Sequence, residues 1–303
     1  MKLEICNVSK TFREKTAVNV FSMELQAGEC VGLIGPNGAG KSTLIKMIAN
    51  VMNTDQGEVR LGGQSISHMK REIGYLPQYP NFFSWMSAEE TLRFMGKLSG
   101  IGEAALVKEI PAILEKVGLE RESRSKVSTF SGGMKQRLGI AQALLHKPAF
   151  VIMDEPVSAL DPIGRREVLN LLQEIKKETT ILLSTHILND AQEICERFVI
   201  MKQGEKIADT TIAELLSQDT EQAVRLEITP KDLPWVEEVV RKLPYVLDVE
   251  AIGNRVKIKM EQIHQNKADL LQRALEHDVD LIRFEAEGKD ALEDIFLKMV
   301  VGA

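Results

Sequence analysis

Cysteine is scarce. The 303 residues contain three, Cys6, Cys30 and Cys195, odd in number, widely spaced and without a CxxC pair. Such a set builds neither a disulfide framework nor a zinc site, and a reducing cytosol is the simpler setting. No apolar run reaches the roughly 18 residues that a bilayer-crossing helix needs, and the opening MKLEICNVSK lacks the apolar core of a secretory signal. Membrane contact is therefore expected only through a partner. Positive charge is not in excess either. The net charge of −6 gives no support to a nucleic-acid binder held by phosphate contacts. What remains is an ordinary globular composition, 44% hydrophobic and 27% charged, long enough for one large and one small domain.

The pattern along the chain is α/β. KLEICNVS, VNVFSMEL and GECVGLIG read as strands, and the last runs directly into a glycine-rich loop. KSTLIKMIAN follows with helical apolar spacing at Leu44, Met47 and Ile48. FVIMDEP and TTILLSTH are short apolar runs ending in polar residues, as buried parallel strands do. The helical patterns RREVLNLLQEIKKE and ILNDAQEICERF lie after them, which suggests βαβ units. Polar groups then gather at the carboxyl ends of the strands, where open α/β sheets bind ligands. Residues 80–145 read mostly as a helical subdomain.

A polar joint, SQDTEQ at 217–222, separates domain 1–220 from domain 221–303. Beyond it come strand AVRLEIT, helix DLPWVEEVVRKLP, strands VLDVEAIG and RVKIKME, helix NKADLLQRALEHD, strand LIRFEAE and helix DALEDIFLKMV. That order is the ferredoxin-like βαββαβ pattern with a final helix. RNA-binding modules share the topology, but residues 221–303 hold 12 Lys and Arg against 17 Asp and Glu, and lack an aromatic-rich central strand for base stacking. An interaction or dimerisation role, or plain stabilisation, is left.

Chemistry concentrates in a few short stretches. Gly35–Ser42, GPNGAGKS, fits GxxxxGK[ST] between a strand and a helix. Gly38 and Gly40 allow the tight turn that aims backbone N–H groups and the helix N-terminus at phosphates. In such loops the lysine, here Lys41, reaches the β- and γ-phosphates, and the hydroxyl of Ser42 is suited to Mg²⁺; Thr43 extends the cradle. Asp154 ends a buried-type strand, where an acid holds Mg²⁺ through its water shell, and Glu155 is placed to orient or deprotonate water. Gln78, after GYL, and His186, after ILLST, each put a polar side chain at a strand end. Either is equally an ordinary exposed or structural residue when taken alone. A second anion-binding turn, TFSGGMKQR at 129–137, sets Ser131, Gly132 and Gly133 ahead of a helical run.

Read together, residues 1–220 resemble the nucleotide-binding subunit of an ABC transporter. Ser131, Gly132 and Gly133 match that family's signature, with Phe130 and Met134 in place of its flanking Leu and Gln; SALD at 158–161 is similar to its D-loop. The resemblance implies a P-loop ABC-type core with a mixed sheet, ATP hydrolysis, and the cofactors ATP and Mg²⁺. It implies that Gly35, Pro36, Asn37, Gly38, Ala39, Gly40, Lys41, Ser42 and Thr43 form the nucleotide loop. Ser42, Gln78 and Asp154 would serve the metal, and Glu155, Gln78 and His186 catalysis. Phe12 stands where the family stacks adenine on an aromatic, usually Tyr; a core role for it is the alternative. The family works as head-to-tail pairs, so Ser131–Gly133 would hold the ATP of a second copy or a homologous subunit.

Long-coiled-coil ABC ATPases are excluded because only about 90 residues separate the two turns, without sustained heptads. Translation-factor types carry two phosphate loops, and here there is one. A transporter subunit fits best, with a non-transport ABC ATPase acting on a soluble macromolecular partner as the alternative. Tyr75, Tyr79, Phe82, Phe83, Trp85 and Phe94 crowd six of fifteen aromatics into twenty residues. YPNFFSWM is too short a loop to bury all its rings, so Gln78–Met86 is expected to receive an integral-membrane permease at the cytoplasmic face of the membrane. The C-terminal extension ending in ALEDIFLKMV looks like that of ATPases paired with ABC-2-type permeases, which mostly export.

Overall fold

The β-branched and apolar runs of the sequence lie in three sheets of a computed structural model that describes residues 1–158, 160–218 and 223–287. The chain divides into two compact units, Met1–Thr211 and a second beginning at Ile212. The first unit opens with β1 (Lys2–Phe12), β2 (Lys15–Gln26), β3 (Cys30–Ile34), α1 (Lys41–Ile48), β4 (Gln56–Leu61), β5 (Gln64–Ser65) and β6 (Ile73–Leu76). Then come α2 (Ala88–Leu98), α3 (Glu103–Lys116) and α4 (Gly132–Leu144), the helical stretch read from the sequence. It closes with β7 (Phe150–Asp154), α5 (Pro162–Ile175), β8 (Thr180–Thr185), α6 (Leu188–Ile194), β9 (Arg197–Lys202) and β10 (Glu205–Thr211).

Two sheets share the work in this unit. The four-stranded one, ordered β2-β1-β4-β5, is antiparallel. The six-stranded one, ordered β10-β9-β3-β8-β7-β6, is parallel except for β10 at its edge. Every residue of β3, β7 and β8 is buried, which is why these strands read as unbroken apolar runs rather than alternating ones. α1 packs between the sheets, with Leu44, Ile45 and Ile48 fully buried among residues of β1, β2 and β3. The parallel arrangement brings the carboxyl ends of β3, β6, β7 and β8 to one edge, and the phosphate loop, Gln78, Glu155 and His186 follow directly from those ends.

One stretch departs from the sequence reading. ILNDAQEICERF is helical only to Ile194, and Cys195 is already extended at φ −99°, ψ 143°. Arg197 then starts β9, whose Phe198–Met201 core is buried against β3. Tertiary pairing overrides the helical spacing here. Gln203 and Gly204, both at positive φ, turn β9 into β10, and a two-residue turn of this kind between apolar runs was a hairpin signal available in the sequence.

The second unit comprises α7 (Ile212–Gln218), β11 (Ala223–Ile228), α8 (Leu233–Glu238), β12 (Val246–Ile252), β13 (Arg255–Met260), α9 (Ile263–Glu276) and β14 (Leu281–Glu287). Its antiparallel sheet is ordered β12-β13-β11-β14, the α+β ferredoxin-like arrangement. Val224, Leu226, Ile228, Val256 and Ile258 point to one face, where Trp235 of α8 and Leu270 and Ala274 of α9 cover them. The alternate residues put Glu250, Lys257, Arg225 and Glu285 in one cross-strand row on the other face. Opposite charges thus neighbour one another at both ends of the row, while the like-charged Lys257 and Arg225 are neighbours at its centre. Of the joint at 217–222, residues 219–222 lie outside the described residues, as does the final helix expected over 290–300.

Candidate nucleotide site

The site is assembled from strand ends. β3 delivers the chain into Gly35–Gly40, a turn that only small residues can make. A Cβ on Gly35 would stand 2.2 Å from the Met201 carbonyl oxygen, and one on Gly40, at φ +103°, 2.2 Å from that of Ala17. The first bond of α1 runs from the Leu44 N–H to the Gly40 carbonyl at 2.9 Å. The N–H groups of Lys41, Ser42 and Thr43 precede it and have no intrahelical acceptor, which leaves a positive helix end facing the cleft. Lys41 is 4% exposed, and its ammonium donates to the Gly35 carbonyl at 2.7 Å and the Pro36 carbonyl at 3.2 Å. Burial pulls its pKa down, while Glu155 and Asp154 oppose that shift.

β7 and β8 supply the acids and what holds them. One oxygen of Asp154 accepts hydrogen bonds from Ser42 Oγ at 3.0 Å and Ser184 Oγ at 2.7 Å. Burial, and the charge of Asp154, push the Tyr75 phenol up to about 12. Glu155 sits at φ +45°, a conformation unusual for a residue with a side chain. Its N–H donates to both the hydroxyl and the carbonyl of Ser184, at 3.0 and 3.1 Å. The Glu155 carboxylate, buried to 8% exposure, has Lys41 Nζ at 3.7 Å and His186 Nδ1 at 3.2 Å. It also accepts from Gln78 Nε2 at 3.2 Å. Ser158 Oγ donates to the Glu155 carbonyl at 3.2 Å.

Gly40, Lys41, Ser42, Gln78, Glu155, Ser158 and His186 open onto a cleft of about 630 Å³, lined also by Asn37, Gly38, Ala39, Thr43, Tyr79, Phe12, Lys15 and Ala17. The cleft is large enough for a nucleotide. Phe12 is 45% exposed, so it is not a core residue. The Asp154 carboxylate beside the Ser42 hydroxyl is a hard oxygen donor set that suits Mg²⁺, which takes few protein ligands when phosphates supply the rest. Among the described residues there is no cluster of three or more His, Cys, Asp or Glu side chains able to hold a metal by themselves. Ser184 and Lys15 were not singled out from the sequence, and Ser158 only as the first residue of SALD; the signal for the first two was position alone, a small and a charged residue beside motif residues.

Ser131, Gly132 and Gly133 do not line this cleft. Ser131 caps α4, its Oγ accepting from the Met134 N–H at 3.2 Å, and Gly132 is exposed. Phe130, the substituted flank, is 5% exposed and serves the core. Nearby, Phe83 stacks at a tilt on Trp85, 5.6 Å between centroids, and edge-on to Phe94 at 5.8 Å. Tyr79, Phe83, Trp85 and Phe94 are nonetheless all exposed.

A glycine loop opening a helix behind a parallel strand, with Lys41, a Ser42–Asp154 pair and a buried Glu155 beyond it, defines a phosphate-loop ATPase with the mixed sheet of the ABC type. The ABC transporter family model matches residues 18–158. The ABC transporter ATP-binding protein YxlF of Bacillus subtilis (strain 168) is 42% identical over 299 residues, 98% of this chain and 99% of that one. The linearmycin resistance ATP-binding protein LnrL of the same organism is 34% identical over 305 residues, 98% and 97% of the two chains. The Nod factor export ATP-binding protein I of Paraburkholderia xenovorans (strain LB400) is 33% identical over 302 residues, 98% and 96%. Among solved structures, an ATP-binding subunit of an ABC transporter is similar at TM-score 0.65 and 34% identity, covering 72% of this chain and 93% of that one. The dimeric cassette MJ0796, bound to ADP and Pi after hydrolysis, is similar at TM-score 0.64 and 26% identity, covering 69% and 98%. The chain belongs to the ABC transporter family, as an ATP-binding, ATP-hydrolysing subunit. Among the described residues no helix is long and apolar enough to cross a membrane.

Proposed function

We propose that the chain drives export of a substrate through a separate membrane permease by binding and hydrolysing ATP between two subunits. One observation carries the reading. Lys41, Ser42, Gln78, Glu155 and His186 converge on the cleft, with Asp154 buried behind Ser42, while the Ser131 turn stands outside it. A turn that presents helix N–H groups to solvent is available to a nucleotide held by another chain.

In this reading Phe12 stacks on adenine, and Gly35–Thr43 wraps the phosphates. Ser42, Asp154 and Gln78 hold Mg²⁺, which when bound neutralises phosphate charge. Lys41 exchanges its backbone carbonyls for phosphate oxygens. Glu155 takes up or orients the proton of attacking water, and Gln78 and His186 fix its carboxylate from two sides. Ser131, Gly132 and Gly133 hold the γ-phosphate of the neighbour's ATP, in a second copy of this chain or a homologous subunit. Export is supported by relatives whose names record export and resistance and which align over 98% of this chain, beyond the ATP-binding core. The exposed rings of Tyr79, Phe83 and Trp85 receive the permease at the cytoplasmic face of the membrane. No nucleic acid enters the scheme.

Replacing Glu155 tests the assignment. Glu155→Gln should lower steady-state ATP turnover by at least about 100-fold, the scale of a lost general base, and leave ATP binding intact. Turnover near the wild-type rate would remove Glu155 from the reaction.

A further inference from the structure

The cleft holds one charged group to which the reading above gives no task. Lys15 lines it and is exposed, and among the described residues no ion pair or side-chain hydrogen bond engages its ammonium. The other ammonium groups nearby are committed. Lys41 is bound to Gly35 and Pro36, and Lys10 is paired with Asp55. A cation left free at the wall of an anion site differs from one on open surface, because a bound phosphate completes its coordination.

Its place in the fold says which phosphate. Lys15 is the cross-strand partner of Phe12, across the two-residue turn Arg13–Glu14. Both residues therefore stand at one end of the β1–β2 ladder, and both line the cleft. Ala17, two residues further along β2 and lining the same cleft, abuts the phosphate loop through its carbonyl at Gly40. Two strand residues span about 7 Å. Lys15 thus lies between the aromatic ring that takes the base and the loop that takes the terminal phosphates. The parts of a nucleotide in that interval are the ribose, which is neutral, and the α-phosphate, which is not.

We infer that Lys15 is a nucleotide-binding residue that holds the α-phosphate. The inference rests on the cleft being the ATP site. Lys15 holds AMP, ADP and ATP alike and does not sense the γ-phosphate, so it anchors the nucleotide before and after hydrolysis. Selection for the triphosphate stays with Lys41, Glu155 and the facing turn.

The test is a competition titration of adenosine, AMP, ADP and ATP against a fluorescent ATP analogue, with wild type, Lys15→Gln and Lys15→Arg. A single charge-assisted contact at an exposed wall is worth about a five-fold change in affinity. Lys15→Gln should weaken AMP, ADP and ATP each by about that factor and leave adenosine unchanged. Lys15→Arg should stay within about two-fold of wild type, since the charge is kept. The inference is overturned if Lys15→Gln binds all three nucleotides as wild type does, which makes Lys15 a solvated surface residue. It is equally overturned if only ADP and ATP weaken, or if adenosine weakens as much as AMP. Wild type that fails to bind ATP would instead refute the ATP site itself. Should Lys15→Gln fold poorly, the wild type decides: its affinity for AMP must fall with rising salt while that for adenosine does not.

Discussion

The two units differ in what they bury. Among the described residues, every buried polar or charged side chain, Lys41, Asp154, Glu155, Ser184 and Asp190 included, lies in the unit Met1–Thr211. Among its described residues, the unit that begins at Ile212 buries only apolar and aromatic side chains, and a cross-strand row of charges lies on the open face of its sheet. Burying charge is costly unless partners satisfy it, and a fold carries that cost where chemistry requires it. The first unit is built as an engine, with three strand ends converging on Glu155. The second has a core that needs only to fold, which suits a platform for association.

The largest expected difference concerns how each unit meets a second chain. With Cys6, Cys30 and Cys195 replaced by Ser and Glu155→Gln present, Ser131→Cys in one tagged chain and Asn37→Cys in another of different size should cross-link through a short bifunctional thiol reagent. The mixed band should appear with ATP and Mg²⁺ and fade with ADP. Linkage within one chain, or no mixed band while ATP is bound, would end the shared-site reading.

Next is an ion pair of the first unit that buries its carboxylate. Arg165 on α5 donates from Nε at 2.8 Å to Asp190 on α6, a carboxylate only 5% exposed whose second oxygen has no partner among the described residues. Burial raises the Asp190 pKa, against the pull of Arg165. Arg165→Ala strands that charge and should cost about 3 kcal/mol at neutral pH, the scale for breaking a buried pair. The sign in pH follows from the raised folded-state pKa. Between the unfolded value and the folded one the native chain binds more protons, so stability falls as pH rises through that window. The deficit of Arg165→Ala should therefore shrink as pH drops. Urea midpoints measured from pH 8 down to pH 5 check this, and a deficit independent of pH would assign the loss to packing. A matching exposed pair in the second unit, Arg273 with Asp269, should contribute far less, because water screens both charges.

The smallest effect is expected from removing residues 221–303. ATP turnover should stay within about two-fold, because every residue of the cleft lies in the first unit. Self-association without nucleotide should be lost, as read by light scattering of the two lengths without ATP. Equal length-scaled masses would deny the second unit that role, and loss of ATP binding would break the division of labour itself.

Much of this was legible in advance, for identifiable reasons. GPNGAGKS, FVIMDEP and TTILLSTH announce themselves because a fully buried parallel strand must be apolar throughout and must end in the polar residues it delivers. The ferredoxin-like order was readable because its strands alternate and its helices are short and amphipathic. β9 was hidden, since ICERF continues a helical spacing and only the vacant flank of β3 turns Arg197–Lys202 into a strand. Ser184 was invisible as a site residue, because nothing in LLSTH marks its hydroxyl as the bridge between Asp154 and the Glu155 N–H.

By itself, then, the sequence determined the phosphate loop, the buried strands that carry the site and the identity of the acids, all of which are local properties of spacing and composition. Only the tertiary structure decided that Gln78, His186 and Lys41 meet on one carboxylate, that Lys15 stands between ring and loop, and that the Ser131 turn stays outside the cleft. Those relations join residues up to 145 positions apart. They are set by strand order in the two sheets of the first unit, which depends on how its apolar faces are buried at once rather than on any short stretch of chain.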